Sequence, residues 1–282
     1  MKCLVVINSV SGSVPENSAE KLEADLNDLG LEYEIRLVDG NSLKDQMKEA
    51  NKTLGAEDVL IVWGGDGTLA CALEHQDDTS PHMLPLPGGT MNMLHERVHG
   101  DAVNSEALLK QCLTSGTRTT LPAGKINGRR FYVGAFFGKL TQLAKAREAG
   151  RHGHPFKALE TFVSASDILD LTPELSITTD VSTACKANTL GVFLEEGLPD
   201  KFDVGIFASE SFLDLTSAAI ESLAVDWREA DGVTHTQCKT LNIACDADHP
   251  VYVTLDGELE EFTCPIDITF KPDAARVLSA KS

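Results

Sequence analysis

Apolar residues follow two rhythms along this chain, and the change between them falls near residue 117. Before it, short apolar runs alternate with stretches of three- and four-residue spacing. "KCLVVIN", "LEYEIRLV", "DVLIVW" and "HMLPLP" read as strands, and Val59–Trp63 in the third is continuous and β-prone, as a strand covered on both faces requires. "PENSAEKLEADLNDLG" has helical spacing, with Pro15 near its first turn and Gly30 past its end. "NSLKDQMKEANKTLG" predicts a second helix with Asn41 or Ser42 as N-cap. Three more helices are expected, one from Thr68, one from about Met91 and one over "NSEALLKQCLTSG". Strands alternating with helices imply right-handed crossovers and a doubly wound parallel sheet, with ligands at the carboxyl ends of its strands.

After Thr117 the helical spacing gives way to short, turn-bounded β segments. "TRTTLPAGKINGRRFYVGAFFG" predicts a hairpin at Asn127-Gly128. "ELSITTDV", "KANTLGVFLEE", "KFDVGIFAS", "TLNIACD", "VYVTL" and "IDITFK" follow, interrupted by helices expected near 139–170 and 210–224. This texture predicts a mainly antiparallel sheet or sandwich. The division expected is an α/β domain over residues 1–117 and a β-rich domain over 118–282.

With 282 residues, two domains can each bury a core, and 42% apolar with 24% charged residues is a soluble globular composition. No run of eighteen apolar residues occurs, and "MKCLVVINSVSGS" turns too soon for a signal peptide. Seven scattered cysteines without C-x-x-C spacing point to neither a disulfide framework nor a zinc site, and fit a reducing cytoplasm. A net charge of −19 argues against nucleic acid and against broad attachment to an anionic membrane. One island reverses the sign: Lys139, Lys145, Arg147, Arg151 and Lys157, with His152 and His154, against the single acid Glu148. It reads either as an ordinary solvated helix or as a basic face in transient contact with lipid headgroups, where each basic group is worth about 1 kcal/mol. The two histidines have no acidic or cysteine partner nearby in sequence and do not read as metal ligands.

The densest chemistry lies in "VLIVWGGDGTLACAL", from Val59 to Leu73. One glycine suffices for a tight strand-to-helix turn; Gly64, Gly65 and Gly67 around Asp66 ask for more. Backbone N–H groups at a helix start can approach an anion where no Cβ intervenes, and the helix dipole favours negative charge there. Asp66 would repel a phosphate unless a cation stood between them, and Mg²⁺ has that role in phosphoryl transfer. The spacing matches neither G-x-x-x-x-G-K-[ST] nor G-x-G-x-x-G.

Four stretches in order, "INSVSG", "GGDGT", "PGGTMN" and "LDGE", resemble the diacylglycerol kinase catalytic family. That family groups soluble bacterial lipid kinases with sphingosine and ceramide kinases, and is distantly related to NAD kinases. "INGRRFYVGAFFG" and "TLNIACDADHPVYVTLDGE" extend the resemblance over most of the chain. It implies an N-terminal nucleotide-binding domain, a C-terminal β-rich domain, an active site in the cleft between them, ATP and Mg²⁺ as cofactors, and a lipid hydroxyl as acceptor. Carried over by position, Asn8, Ser11 and Gly12 form a first phosphate-binding turn. Gly64, Gly65, Asp66, Gly67 and Thr68 form a second, with Asp66 toward the metal. Gly89, Thr90 and Asn92 form a third. Asp256 matches the carboxylate assigned as general base, and Glu258 is its neighbour.

Asp256-Gly257 is also a common hairpin turn. A two-residue loop would set Leu255 opposite Glu258, a poor pair on one apolar face. A three-residue loop would set Leu255 opposite Leu259 and project Asp256 and Glu258 from the loop, and this register is the one expected. The chain departs from the family at Ser9, where proline is usual, and at Ala70 and Cys71, where Asn-Glu is frequent. It departs again at Met93, where aspartate is common, and "LEEGLPDKFDV" is too short to match the acidic segment assigned to a structural Mg²⁺. The expected activity is an ATP- and Mg-dependent kinase for a lipid hydroxyl, diacylglycerol or a related lipid, in the cytoplasm or peripheral at a membrane. Two alternatives stand beside it: a catalytically weak nucleotide-binding regulator, motivated by Ala70, Cys71 and Met93, and a kinase of a soluble acceptor such as NAD. Oligomeric state is not encoded in any motif.

Overall fold

Val59–Gly64 (β3) lies beside Lys2–Asn8 (β1) and His82–Pro87 (β4), in parallel register with both. Glu32–Val38 (β2) pairs with β1 at the edge, also parallel. The computed structural model describes residues 1–100, 105–138, 141, 174–207, 233–245 and 250–281. The helices expected near 139–170 and 210–224 lie outside these residues, as do Lys139, Lys145, Arg147, Arg151, His152, His154 and Lys157. By compactness the chain forms two units, Met1–Ala123 with Lys271–Ser282, and Gly124–Phe270.

In the first unit the parallel strands bury alternate residues on two faces, because helices cover both. Val5, Ile7, Ile61, Leu84 and Leu86 pack with Leu22 and Leu26 of Ser18–Asp28 (α1) and with Leu108 and Leu109 of Ser105–Ser115 (α5). Leu4, Val6, Leu60 and Val62 point the other way and are as fully buried. Leu43–Thr53 (α2) and Asp66–Glu74 (α3) bury Met47, Ala50, Leu69, Ala72 and Leu73. Gly30 stands just past α1 with φ +65°, the left-handed stop its position predicts, while Pro15 precedes the helix in a turn that Ser18 N–H closes on its carbonyl. Ser42 occupies the N-cap of α2, but its side chain makes no cap bond there. Asp39 instead accepts the backbone N–H groups of Asn41 and Ser42, and those bonds hold its carboxyl below the usual range.

The division expected at 117, with everything after it in one domain, differs from this arrangement in two respects. Thr117–Ile126 (β5) carries the chain past the boundary at Ala123, and the last twelve residues return to the first unit. They return because the far end of Ile266–Ser279 (β16) is apolar and pairs in parallel with β4, Val277 opposite Met83. His99, at the end of Met93–His99 (α4), locks this return. Its Nε2–H donates to the carbonyl of Pro85 at 3.0 Å and its Nδ1 accepts the Ala280 N–H at 3.2 Å.

The second unit is antiparallel. One sheet, among the described residues, runs Val233–Cys238 (β12), Phe202–Phe207 (β11), Thr189–Phe193 (β10), Gly134–Gly138 (β7), Val251–Leu255 (β14) and Glu258–Phe262 (β15). The other holds the start of β16, then Thr240–Cys245 (β13), Leu175–Thr179 (β8) and Cys185–Ala187 (β9). Arg129–Phe131 (β6) pairs with β5 across the expected turn, Asn127 at φ 42° and Gly128 at φ 97°. One face of each sheet supplies the common core: Phe137, Leu190, Val192, Phe202, Val204 and Val253 against Ile177, Leu241, Ile243, Ile266 and Ile268. The sandwich expected from the period-two pattern is present.

Cysteine usage differs from the sequence expectation. Cys245 and Cys264 are bonded, with Cα atoms 6.1 Å apart. Spacing could not reveal this pair, because it depends on where the end of β13 meets the link between β15 and β16. Cys3, Cys71, Cys112, Cys185 and Cys238 are unbonded thiols.

Candidate functional site

The carboxyl ends of β1, β3 and β4 carry the three glycine-bearing turns, which touch one another backbone to backbone. Gly88 N–H donates to the Gly64 carbonyl at 2.9 Å, and Ser13 N–H donates to the Gly88 carbonyl at 3.0 Å. Close approach explains the glycines. A Cβ on Gly89 would lie 2.8 Å from the Cα of Gly65, and one on Gly64 would lie 2.6–2.8 Å from the side chain of Thr68. The Trp63 indole N–H, at the end of the buried strand, donates to the Pro87 carbonyl at 2.9 Å and ties the second turn to the third.

Side chains complete the knitting. Asn8 is buried at the end of β1, and its Nδ2 donates to Thr68 Oγ1 at 2.8 Å while its Oδ1 accepts the Val10 N–H. Ser11 Oγ accepts the Gly65 N–H at 3.3 Å. Asn92 sits at φ 52° and ψ 32°, a left-handed conformation that asparagine tolerates, and its Oδ1 accepts the Gly89 N–H at 2.9 Å. Asp66 Oδ1 accepts the Leu94 N–H at 2.9 Å, so this carboxylate satisfies an orphan donor in the first turn of α4. Asn8, Ser11, Gly64, Gly65, Asp66, Thr68, Gly89 and Asn92 are therefore joined in one hydrogen-bonded and steric assembly. Gly12, Gly67 and Thr90 lie exposed at its rim.

Two kinds of group in this assembly suit a phosphate and its metal. The N–H groups of Asp66 and Gly67 occupy the first two positions of α3, where no intrahelical acceptor exists, and they lie at the positive end of the helix dipole. Asp66, half-buried, has one oxygen engaged by Leu94 and a second that a divalent cation would take. The glycine cradle and the open N–H pair fit a polyphosphate, and the Asp66 carboxylate fits Mg²⁺.

Behind the third turn lie two histidines that no motif announced. His95 and His99 are buried in α4 with ring centroids 4.9 Å apart. Burial, with the neighbouring His95 adding to it, lowers His99 to about 4; burial also lowers His95, against the opposing pull of Asp66. Both shifts favour the neutral ring at pH 7, which in His99 also meets the hydrogen bonds to Pro85 and Ala280, so neither ring adds positive charge beside the third turn.

In the second unit the motif residues Asp256 and Glu258 part company. Asp256 is only 8% exposed, with φ 48°, and Gly257 follows at φ 92°. Its carboxylate accepts three backbone N–H groups, from Tyr132 at 2.6 Å, Val133 at 2.8 Å and Gly134 at 3.0 Å. The Asp256 N–H donates to the Gly134 carbonyl at 2.9 Å. Glu258 is exposed. The register corrects the expected three-residue loop, since Leu255 stands opposite Glu258 across a two-residue turn. Left-handed Asp256 and Gly257 make a turn whose twist matches the strands, and the N–H cradle fixes it. Because β15 is an edge strand, Glu258 reaches water from beside the apolar Leu255. The cradle at Tyr132–Gly134 was not read from the sequence, although "RRFYVGAFFG" lies within the stretch that carries the resemblance.

No helix among the described residues is long and apolar enough to cross a membrane, and no group of three or more His, Cys, Asp or Glu among them could hold a metal ion. A metal at Asp66 would therefore depend on phosphate oxygens and water for its remaining ligands.

Comparison with known proteins gives the same reading of the first unit. The description "Diacylglycerol kinase catalytic domain" matches residues 2–126. Diacylglycerol kinases from two strains of Staphylococcus epidermidis are 31% identical over 115 residues, covering 40% of this chain and 36% of theirs. The chain thus spans little more than a third of the length of these curated relatives. A crystal structure of a diacylglycerol kinase from Bacillus anthracis str. Sterne superposes with a TM-score of 0.69 at 16% identity, covering 98% of this chain and 96% of that one. A crystal structure described as that of "a putative diacylglycerol kinase from Bacillus anthracis str. Sterne" superposes at 0.70 with 18% identity, covering 98% of this chain and 94% of that one. These structures share the fold, an N-terminal α/β unit and a C-terminal antiparallel one. The chain resembles the diacylglycerol kinase catalytic family in its ordered motifs, over residues 2–126 in sequence and over nearly its whole length in fold.

Proposed function

We propose that this protein is an ATP- and Mg-dependent kinase that transfers the γ-phosphoryl group to the hydroxyl of a lipid, diacylglycerol or a close relative. The observation that carries the reading is the assembly of three glycine-bearing turns at one sheet edge, with the Asp66 and Gly67 N–H groups open at the start of α3. A lipid acceptor is supported by the names of the curated relatives and by the "LDGE" motif.

Bound Mg-ATP supplies the transferable phosphoryl group, with its charge partly neutralised by the metal. The chain's own work is to hold and to receive. The N–H groups of Asp66 and Gly67 would hold phosphate oxygens, and the Asp66 oxygen turned from Leu94 would hold the metal. Gly12 and Thr90 border the same edge. Asn8, Ser11, Gly64, Gly65, Thr68, Gly89 and Asn92 keep the turns rigid, so little reordering accompanies binding. Asp256 receives the acceptor proton late in transfer. Three backbone N–H groups donate to its carboxylate, and they fix the group's orientation. Glu258, exposed two positions on, would orient Asp256 or the metal.

The test is transfer of labelled phosphate from Mg-ATP over a panel of diacylglycerol, monoacylglycerol, phosphatidylglycerol, sphingosine and NAD, with thermal stabilisation by Mg-ATP measured in parallel. Transfer to a glycerolipid is expected. Transfer to NAD alone would replace the acceptor, and stabilisation without transfer to anything would leave a nucleotide-binding regulatory protein.

A further inference from the structure

Cys245 ends β13, and Cys264 lies in the link between β15 and β16. Between them in sequence lies the β14–β15 hairpin, with Asp256 at its turn. Among the described residues that hairpin is the margin of its sheet: β15 pairs with β14 alone, and β14 meets β7 over Val253–Leu255. Asp256 is held by the short ladder to β7, by the carboxylate's bonds to Tyr132–Gly134 and by its own N–H to the Gly134 carbonyl, while Val251, Val253, Leu255 and Phe262 pack into the core and Glu260 pairs with Arg129 at 2.9 Å. The sulfur bridge is the one covalent tie among these, at the hairpin's root. The bridge joins the root to β13, a strand of the other sheet.

Three of the remaining thiols are buried, which pushes Cys3 up to about 11 and both Cys112 and Cys238 up to about 12, so these three stay protonated and exchange slowly. Cys71 and Cys185 are half-buried, so what sets Cys245 and Cys264 apart from them is the bridge geometry. Cys245 and Cys264 are half-buried at the rim of the core. Their Cα separation of 6.1 Å is ordinary for a bridge, so the fold brings them together without rearrangement.

We propose that Cys245 and Cys264 form a reversible thiol–disulfide clasp that sets the rigidity of the hairpin carrying Asp256. The oxidant is a low-molecular-weight disulfide. One cysteine thiolate attacks it, forming a mixed disulfide and releasing one thiolate. The second cysteine then attacks the protein-bound sulfur and expels the other. The cysteine pair loses two electrons, the small disulfide gains them, and the two thiol protons end on the two released thiols. Excess dithiol reverses each step. Closed, the bridge limits opening of the hairpin root; open, the hairpin frays from its edge. The consequence for phosphate transfer rests on the function proposed above, but the clasp itself does not.

The experiment uses the full chain, first reduced with dithiothreitol and then treated with oxidised glutathione. Peptide mass mapping without reductant identifies the pairing, and hydrogen exchange reads the amides of residues 251–262 and 132–134. Oxidation is expected to yield a Cys245–Cys264 peptide pair, to slow hairpin exchange roughly tenfold or more, and to raise the melting temperature by about 5–10 °C. The double variant Cys245→Ala/Cys264→Ala should exchange like the reduced protein under both conditions. Absence of the 245–264 pair after oxidation, or equal hairpin exchange in the two states, overturns the clasp. None of these readouts needs kinase activity, so a protein that shows the redox difference and transfers no phosphate overturns the proposed function alone.

Discussion

The carboxylate of Asp256 receives the backbone N–H of Tyr132 at 2.6 Å, across 124 positions of sequence. Val133 and Gly134 add two more N–H groups to the same carboxylate. This makes Asp256 a structural anchor as well as the proposed proton acceptor, and it changes what a substitution there should do. As a bare turn, Asn-Gly would serve as well as Asp-Gly. In the cradle it cannot, because an amide has one acceptor atom and would turn its own NH₂ toward a buried donor. Asp256→Asn is expected to lose about 1–3 kcal/mol of stability, together with roughly 10²–10⁴-fold in transfer. Urea unfolding and single-turnover transfer on the folded variant measure the two separately.

Glu258→Gln should behave differently. Its side chain is exposed, so unfolding should shift by no more than about 0.5 kcal/mol. Transfer should fall, but by less than for Asp256→Asn. Equal losses for the two variants would move the proton acceptor to Glu258.

Asp66 has two roles that two substitutions can separate. Asp66→Ala removes both the proposed metal ligand and the bond to the Leu94 N–H, so Mg-ATP stabilisation should vanish and the fold should weaken by about 0.5–2 kcal/mol. Asp66→Asn keeps an oxygen for Leu94 and should restore most of the stability without restoring Mg-ATP stabilisation. Thermal shift with and without Mg-ATP tests both.

Gly89→Ala probes the contact between turns. Its Cβ would stand 2.8 Å from the Gly65 Cα, and backbone cannot yield as a side-chain end would. A loss of about 1–3 kcal/mol is expected, with Mg-ATP stabilisation reduced as well. Gly12→Ala meets nothing within 4 Å and serves as the control; unfolding in urea compares the pair.

Acid should weaken the first unit before its carboxylates titrate. His99 falls to about 4 in the folded protein from 6.5, because burial disfavours the charged ring. The unfolded chain therefore binds the proton first. Stability from this group is complete above pH 6.5 and is lost as pH falls toward 4, by about 3 kcal/mol in all. His82 and His95 are lowered by burial too and act in the same direction. Unfolding midpoints measured from pH 7.5 to 4.5 should fall, and His99→Gln should flatten the slope. A midpoint independent of pH above 5 would contradict the buried neutral imidazole.

Much of the fold was legible because its causes are local. The apolar runs at β1, β3 and β4 could only be buried strands, and the glycines at their ends marked the edge where a ligand would sit. The hairpins at Asn127-Gly128 and Asp256-Gly257 follow from residues that tolerate positive φ. The loop length at the second was misjudged, because pairing a leucine with a glutamate is poor only where both are enclosed. At the edge of a sheet Glu258 escapes into water.

By itself the sequence determined the order of strands and helices, the change to antiparallel texture after Thr117, and the three glycine-bearing turns. Periodicity and backbone sterics act within a few residues, so they can be read from a few residues. Only the tertiary structure decided that residues 271–282 rejoin the first unit, that Asp66 serves Leu94, that Asp256 is held by Tyr132, Val133 and Gly134, and that Cys245 meets Cys264. Each of these joins groups that folding alone brings together, where a buried N–H takes whichever acceptor the packing leaves within reach.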